Sequence, residues 1–127
     1  MFTRRWRTSP RQYGVTVDFD VRVPVGEGVA LDGDVFRPAA PGRFPALLGV
    51  HGYDKAMQSV PSMPAAMTPQ NAQAEAGDPR FFARRGYAHA IVNVRGTGAS
   101  EGRYSNYSPR EAQDIAETIE WLAEQPW

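Results

Sequence analysis

The fold depends on two short stretches, ALLGV at residues 46–50 and AHAIVNV at residues 88–94. Both are almost continuously apolar, so both faces of each strand are expected to be covered. Strands of this kind are typical of the middle of a parallel sheet that has helices packed on its two sides. The two stretches therefore predict an α/β fold, and the rest of the chain is interpreted around them.

An antiparallel hairpin is predicted ahead of these strands. From Val15 to Val23 apolar and polar residues alternate, which is the pattern of a half-buried strand. The sequence GEG at residues 26–28 supplies a turn, and the alternation resumes from Val29 to Val35. The order is then a hairpin followed by strand, helix, strand and helix.

Two helices are indicated by their terminal residues. Asp78 is suited to an N-cap, Pro79 to the first helical position and Gly86 to the C-terminal stop. The sequence SPRE at residues 108–111 has the form of a capping box, and Pro126 ends the helix that follows. The apolar stripe of this second helix is expected to consist of Ala112, Ile115, Ile119 and Leu122.

We expect the domain to be incomplete. A parallel sheet built in this order needs another strand after the second helix, because an uncovered edge is a feature that natural proteins usually avoid. The alternative is a small independent domain with a protected edge. On the first interpretation, residues 1–14 are a flexible leader and residues 15–127 are the N-terminal part of one α/β domain.

The composition excludes several classes of function. The 127 residues carry 14 basic and 14 acidic side chains, so no overall charge favours nucleic acid or an anionic membrane. The absence of cysteine removes disulfides, thiolate metal sites and a cysteine nucleophile. No apolar segment follows the arginine-rich start as in a secretion signal, and none is long enough to span a bilayer. We expect a cytoplasmic protein with no nucleic-acid or membrane partner; its oligomeric state is not indicated.

The sequence GASEG at residues 98–102 matches the G-x-S-x-G pattern of a serine nucleophile. That pattern needs its serine on a tight turn directly between a strand and a helix. Ser100 instead falls in a long loop, since the strand is predicted to end near Val94 and the helix to begin near Pro109. We therefore interpret Ser100 as a loop residue.

Both histidines precede this motif. His51 is expected to be hydrogen-bonded within the loop after the first apolar strand, and His89 to be a hydrogen-bonded residue of the core. Tyr53, two residues after His51, is open to two interpretations. Its hydroxyl could stabilise a developing oxyanion, or its ring could simply pack in the loop.

The chain resembles the cocaine-esterase and X-Pro dipeptidyl-peptidase family of serine hydrolases from about Val15 onward. The resemblance is carried by the following segments: RP at 37–38, GYDK at 52–55, FARRGY at 82–87, NVRGTGASEG at 93–102 and TIEWLAEQPW at 118–127. Two positions depart from the family pattern. His51-Gly52 stands where the family often has Thr-Pro, and Asn93 where it often has aspartate.

The resemblance implies the N-terminal half of an α/β-hydrolase sheet. It also implies that Tyr53 donates its hydroxyl to the oxyanion hole, while the family's nucleophilic serine, acid and histidine lie beyond these residues. A complete enzyme would cleave an ester or peptide substrate through an acyl-enzyme, with no cofactor and no metal, and this chain alone would be inactive. The alternatives are a small non-catalytic binding or structural α/β domain, and an enzyme that uses His51 and Ser100 directly.

Overall fold

A computed structural model describes residues 7–52, 55 and 77–127. The hairpin strands are β1, Val15–Val25, and β2, Val29–Pro38, and the two apolar stretches form β3, Ala46–His51, and β4, Ala88–Asn93. The helices are α1, Pro79–Ala83, and α2, Pro109–Glu124. Within the described residues the strands form one sheet in the order β1-β2-β4-β3. β1 and β4 pair with β2 antiparallel, whereas β3 and β4 pair parallel.

The sheet is covered on both faces, as the apolar stretches predict. On one face Val23, Leu31, Val35 and Val92 pack with Leu122 of α2. On the other face Phe36 and Ile91 pack with Ala83 of α1. Every residue of β4 is buried, because a strand lies on each side of it and a helix over each face.

Both helices begin as their sequences predict. The side chain of Asp78 accepts hydrogen bonds from the backbone N–H groups of Arg80 and Phe81, and Pro79 follows it. The Ser108 hydroxyl accepts a hydrogen bond of 3.2 Å from the N–H of Glu111. These contacts satisfy N–H groups that have no partner within the helix itself.

The buried face of α2 differs from the predicted apolar stripe. Asp114, Thr118 and Leu122 are buried, whereas Ala112 is exposed and the Ile119 side chain is 54% exposed. The prediction is wrong at Ala112 and Ile119 and right at Leu122, because the helix is turned so that Asp114 faces the cation of Arg95. Within the described sheet β3 is an edge strand, and its residues from Leu47 to Val50 are half-buried.

Residues 7–14 have no regular secondary structure, but their last residues contact the domain. The backbone N–H groups of Gln12 and Tyr13 both donate to the carbonyl oxygen of Arg84, and the Tyr13 ring packs edge-on against Phe44. Strand β1 begins at Val15, the residue predicted as the first of the α/β domain. A flexible leader over residues 1–14 stays a prediction.

Candidate active site

The parallel strands β3 and β4 end side by side, with His51 and Asn93 as their last paired residues. Carboxyl ends of parallel strands are where α/β sheets bind ligands. A cleft of about 400 Å³ opens at this edge. It is lined by Val50, His51, Gly52, Val94, Tyr104, Asn106, Tyr107 and Glu111. The cleft is therefore lined by Gly52, the residue that precedes the predicted oxyanion donor Tyr53 in the sequence.

Tyr53, the predicted oxyanion donor, lies outside the described residues, so its role stays a prediction. Gly52, immediately before it, and Lys55, two residues after it, are described. Gly52 follows the last residue of β3, and Lys55 is buried.

Lys55 is held by three carboxylates from the hairpin. Its Nζ lies 2.5 Å from Asp20 Oδ1, 2.6 Å from Asp34 Oδ1 and 3.1 Å from Asp32 Oδ1. Asp32 and Asp34 are buried, at 2% and 4% exposure. Burial by itself would lower the pKa of Lys55, but the hydrogen bonds to these aspartates outweigh that effect and raise the pKa. Lys55 is thus a permanent cation within this site.

Asn93 connects Lys55 to the end of β4. Its Oδ1 accepts a hydrogen bond of 2.7 Å from the backbone N–H of Lys55, and its Nδ2 donates to Asp32 Oδ2 at 3.2 Å. The amide can make both bonds because it has an acceptor and a donor, whereas an ionised aspartate at this position would have no donor for Asp32. Gly98, at φ 53°, lies directly against this amide, and a Cβ there would collide with it.

Ser100 is a structural residue of this network. Its hydroxyl is buried, accepts a hydrogen bond of 2.8 Å from the N–H of Asp32 and donates one of 2.8 Å to the carbonyl oxygen of Asn93. It lies in the loop between β4 and α2. The prediction that Ser100 is a loop residue, with no strand-to-helix elbow, is confirmed.

The histidines differ from their predictions in detail. His51 is the last residue of β3 and is half-buried beside the cleft. His89 lies in the core at 3% exposure, as predicted, but its Nδ1 has no hydrogen-bond partner among the residues that the structure describes. Within the described part of the chain, the expected hydrogen bond is therefore not found at that atom. His89 packs edge-on against the ring of Phe82 instead, with ring centres 5.4 Å apart.

The buried position of His89 predicts that the stability of the fold depends on pH. Burial lowers the pKa of His89 from its ordinary value of 6.5 to about 4, although the charge of Asp78 opposes the shift. Between these two values the unfolded chain binds a proton that the folded chain does not, so stability falls as the pH drops through that interval. The full loss is about 3 kcal/mol, since each unit of pKa is worth about 1.4 kcal/mol.

His89→Leu, a substitution of similar size, is expected to remove that loss. Urea unfolding at several pH values from 7 to 4 measures it in both proteins. The free energies of unfolding should fall less steeply in the variant than in the unsubstituted chain. Equal slopes would contradict the assignment of this pH dependence to His89.

The loop between β4 and α2 is anchored by a second ionic network. Arg95 makes a bidentate contact to buried Asp114, with Nε–Oδ2 and Nη2–Oδ1 distances of 2.8 and 2.9 Å. It also reaches Glu27 in the hairpin turn at 3.0 Å, while Arg110 adds a bond of 2.8 Å to Asp114. Burial by itself would raise the pKa of Asp114, but the hydrogen bonds from Arg95 and Arg110 hold that pKa below its ordinary value.

Tyr104 is the residue of this site that sequence reasoning missed. It belongs to the loop that Arg95 anchors, lines the cleft and places its hydroxyl beside Gly52, about 3.5 Å from where a Cβ on that glycine would lie. The backbone of Tyr104 also packs tightly against Gly96, whose φ of 71° suits glycine. No spacing in the sequence signals this approach, because Gly52 and Tyr104 come together only through the loop's path.

Comparison with known proteins identifies the family. Residues 27–127 match the family model described as X-Pro dipeptidyl-peptidase, S15 family. The chain belongs to this family. The resemblance found in the sequence and the predicted α/β-hydrolase fold are both confirmed.

Individual relatives of this S15 family member support the same family assignment. Cocaine esterase from Rhodococcus sp. (strain MB1 Bresler) is 37% identical over 112 residues, which cover 88% of this chain and 17% of the relative. A CocE/NonD family hydrolase from Staphylococcus aureus superposes with a TM-score of 0.73 at 31% identity, covering 87% of this chain and 21% of that one. The esterase Pf2001 from Pyrococcus furiosus, with a TM-score of 0.55 at 21% identity, shares the fold; the match covers 94% of this chain and 43% of that one. The S15 chain thus spans about a fifth of the length of its first two relatives.

Within the described ranges, no three or more histidine, aspartate or glutamate side chains are grouped so as to hold a metal ion. No helix within those same ranges has the length and apolar character needed to cross a membrane. In the aspartate cluster of the hairpin, the Lys55 ammonium takes the central position.

Proposed function

We propose that this chain is the N-terminal portion of a serine hydrolase that cleaves an ester or amide through an acyl-enzyme, and that the chain is inactive by itself. The observation that carries the proposal is the place of Gly52. This glycine directly follows the carboxyl end of β3 and lines a cleft, and α/β-hydrolases supply an oxyanion donor from the segment that follows this strand. Membership of the S15 family supports the same chemistry.

In this reaction the serine oxygen attacks the substrate carbonyl and forms a tetrahedral oxyanion. The Tyr53 hydroxyl and a backbone N–H donate hydrogen bonds to that oxyanion. Collapse of the intermediate breaks the ester or amide bond, and the leaving group departs with the proton that a histidine took from the serine. Water then hydrolyses the acyl-enzyme by the same steps, releases the acid and restores the serine.

The proposed inactivity rests on what the described residues can do. Ser100 is buried and both of its hydrogen-bonding functions are used within the fold, so it is a poor nucleophile. The nucleophile, its base and its acid would come from a further segment. Half-buried apolar residues along β3 and the exposed Ile119 of α2 support a further strand and helix beside them.

The substrate would be a small-molecule ester or a peptide, and both classes are suggested by the names of relatives. We also propose a cytoplasmic enzyme that needs no metal or organic cofactor for this acyl transfer. Neither nucleic acid nor membrane is a partner on this proposal. The balanced charge of the chain supports the exclusion of polyanionic partners.

The second candidate is a small non-catalytic α/β domain. It is favoured by the packing, because both faces of the sheet already bury apolar clusters within this chain. Such a domain would be a monomer that unfolds cooperatively in urea. A portion of a larger hydrolase should instead associate or bind apolar dyes through the β3 edge.

The decisive experiment compares the purified chain with the product of the reading frame extended past the codon for Trp127. The extended protein is expected to hydrolyse a p-nitrophenyl ester and to lose that activity to an organophosphorus serine reagent. The chain itself should match the buffer rate. Ester turnover by the chain that disappears in Ser100→Ala would contradict the proposal, as would a stop codon directly after Trp127.

A further inference from the structure

The arginines of this chain fall into two groups. Four of them pair with a carboxylate at 2.7 or 2.8 Å: Arg22, Arg37, Arg95 and Arg110. Five others make no ion pair with any residue that the structure describes: Arg7, Arg11, Arg80, Arg84 and Arg85. Arg85 is half-buried and the other four are exposed. We call these five residues the α1 basic surface.

Two segments of the chain build the α1 basic surface, and hydrogen bonds hold them together. One is the segment at residues 7–13, and the other is α1 with the turn that follows it. The backbone N–H of Gln12 donates to the carbonyl oxygen of Arg84 at 2.8 Å, and Arg85 Nε donates to that of Ser9 at 2.9 Å. The arginines of both segments therefore lie on one side of the domain, although Ser9 and Arg85 are 76 residues apart in the sequence.

This surface gathers cations without matching anions. Residues 7–17 and 79–100 include no aspartate or glutamate. Asp78 directly precedes α1, and its carboxylate accepts hydrogen bonds from the backbone N–H groups of Arg80 and Phe81 as the helix cap. Like charges repel one another, so placing these arginines together does not stabilise the fold. An anionic partner would remove that repulsion, which indicates that the α1 basic surface serves for interaction.

Aromatic rings hold two of the guanidinium groups in place. Arg85 Cζ lies 3.7 Å from the centre of the Phe81 ring, and Arg80 Cζ lies 5.4 Å from the centre of the Phe36 ring. A guanidinium that stacks on a ring keeps the N–H groups along its edge available. Such an edge matches a carboxylate, which can accept two parallel hydrogen bonds from one arginine. Because the stacked side chains are already ordered, they lose little freedom when a partner binds.

The extent and the charge of the surface favour a short acidic peptide segment over a nucleic acid or a membrane. Its five cations are fewer than the about 6–10 phosphate contacts of a typical salt-sensitive DNA-binding protein. The chain carries 14 basic and 14 acidic side chains, so no net charge attracts an extended polyanion. Exposed Glu120 and Glu124 lie on α2, over the opposite face of the sheet, and add a local negative charge there.

We propose that the α1 basic surface binds an acidic segment of a partner polypeptide through contacts between carboxylates and guanidinium groups. The surface lies over the face of the sheet that α1 covers, whereas the cleft lies at the carboxyl edge of β3 and β4. This inference is therefore independent of the proposed hydrolase reaction.

The test adds the purified chain to fluorescein-labelled hexaglutamate and follows the fluorescence anisotropy of the peptide. Saturable binding is expected at low ionic strength. It should weaken as salt is raised to about 0.15 M, where exposed charges are screened beyond about 8 Å. Arg11→Gln combined with Arg84→Gln is expected to raise the dissociation constant about tenfold, since two exposed ion pairs are lost. Both side chains are exposed and make no hydrogen bond within the described part of the chain, so the fold should be retained.

The matched control is Arg43→Gln combined with Arg103→Gln. It removes the same charge from two exposed arginines outside the α1 basic surface, and the affinity for hexaglutamate should stay unchanged. Urea unfolding of both double variants verifies that they fold.

Four results would overturn the proposal. The first is the absence of saturable binding up to about 1 mM chain, and the second is an equal loss of affinity in the control variant. The third is tighter binding of an oligothymidylate of equal charge, or of phosphatidylserine vesicles, which would assign the surface to nucleic acid or to a membrane. The fourth is a failure of the protein extended past Trp127 to bind hexaglutamate, because the surface would then be covered by its own polypeptide.

Discussion

Tyr53→Phe is expected to lower the kcat of the complete hydrolase by about 10²- to 10³-fold, which is the usual loss when one oxyanion donor is removed. The hydroxyl would act on charge that develops only in the transition state, so KM should change little. Steady-state kinetics with a p-nitrophenyl ester measure both constants. The substitution removes one oxygen and keeps the aromatic ring, so it tests the hydroxyl alone.

Two other tyrosines make this prediction specific. Tyr87→Phe removes a phenol that packs near Phe82 and lies outside the lining of the cleft, so it is expected to leave kcat unchanged. Tyr104→Phe tests the second phenol at the cleft, whose hydroxyl lies beside Gly52. A loss of kcat in Tyr104→Phe of the size expected for Tyr53→Phe, with Tyr53→Phe near the original rate, would transfer the donor role to Tyr104.

Arg95→Met is expected to destabilise the chain by about 3 kcal/mol, the lower end of the usual cost of removing one partner of a buried ion pair, because Asp114 keeps a second cation. Asp114 is 2% exposed and, among the residues that the structure describes, would keep only Arg110 as a cation partner. The loss should be greatest above the lowered pKa of Asp114. As the pH falls through that pKa, the Asp114 carboxylate is protonated and the unsubstituted chain loses the contribution of the ion pair. The difference in stability between the variant and the unsubstituted chain therefore shrinks. Urea unfolding at pH 7 measures the difference.

The control is an arginine in an exposed pair. Arg22 contacts Glu101 at 2.8 Å, with the two side chains 43% and 54% exposed, and Arg22→Met is expected to cost about 1 kcal/mol or less. Replacing both members of the buried pair, Arg95→Met with Asp114→Leu, should recover part of the lost stability because no unpaired charge remains. A cost for Arg95→Met no greater than that for Arg22→Met would contradict the assigned role of the buried pair.

The sequence by itself determined the features that depend on neighbouring residues. Alternation from Val15 onward indicates the hairpin because successive strand side chains point to opposite faces. Asp78 and Ser108 mark the helix starts because their oxygens are within reach of N–H groups two or three residues later. The continuous apolar run at 88–94 indicates a strand covered on both faces, since such a run has no face to expose to water. The family resemblance likewise rests on contiguous motifs.

Tertiary structure decided the features that depend on pairing across long stretches of chain. Asp114 is buried and Ile119 exposed on α2 because the cation of Arg95, 19 residues before Asp114, determines which side of the helix faces the sheet. Helical periodicity counts apolar residues and cannot anticipate that a carboxylate will be neutralised from elsewhere. The same holds for His89, because the absence of a partner for its Nδ1 within the described part of the chain depends on which side chains surround it.

The candidate site likewise contains one feature that the sequence predicts and one that only the fold decides. The sequence singled out Tyr53 by its place after an apolar strand and by the family's pattern, both of which are local signals. Lys55 belongs to the same family segment, but its ion pairs gave no such signal, because its three aspartates stand between 21 and 35 residues earlier and approach it only when the hairpin pairs with β4. Electrostatic pairs of this kind form wherever the fold brings opposite charges out of water together, and that is a property of the packed chain.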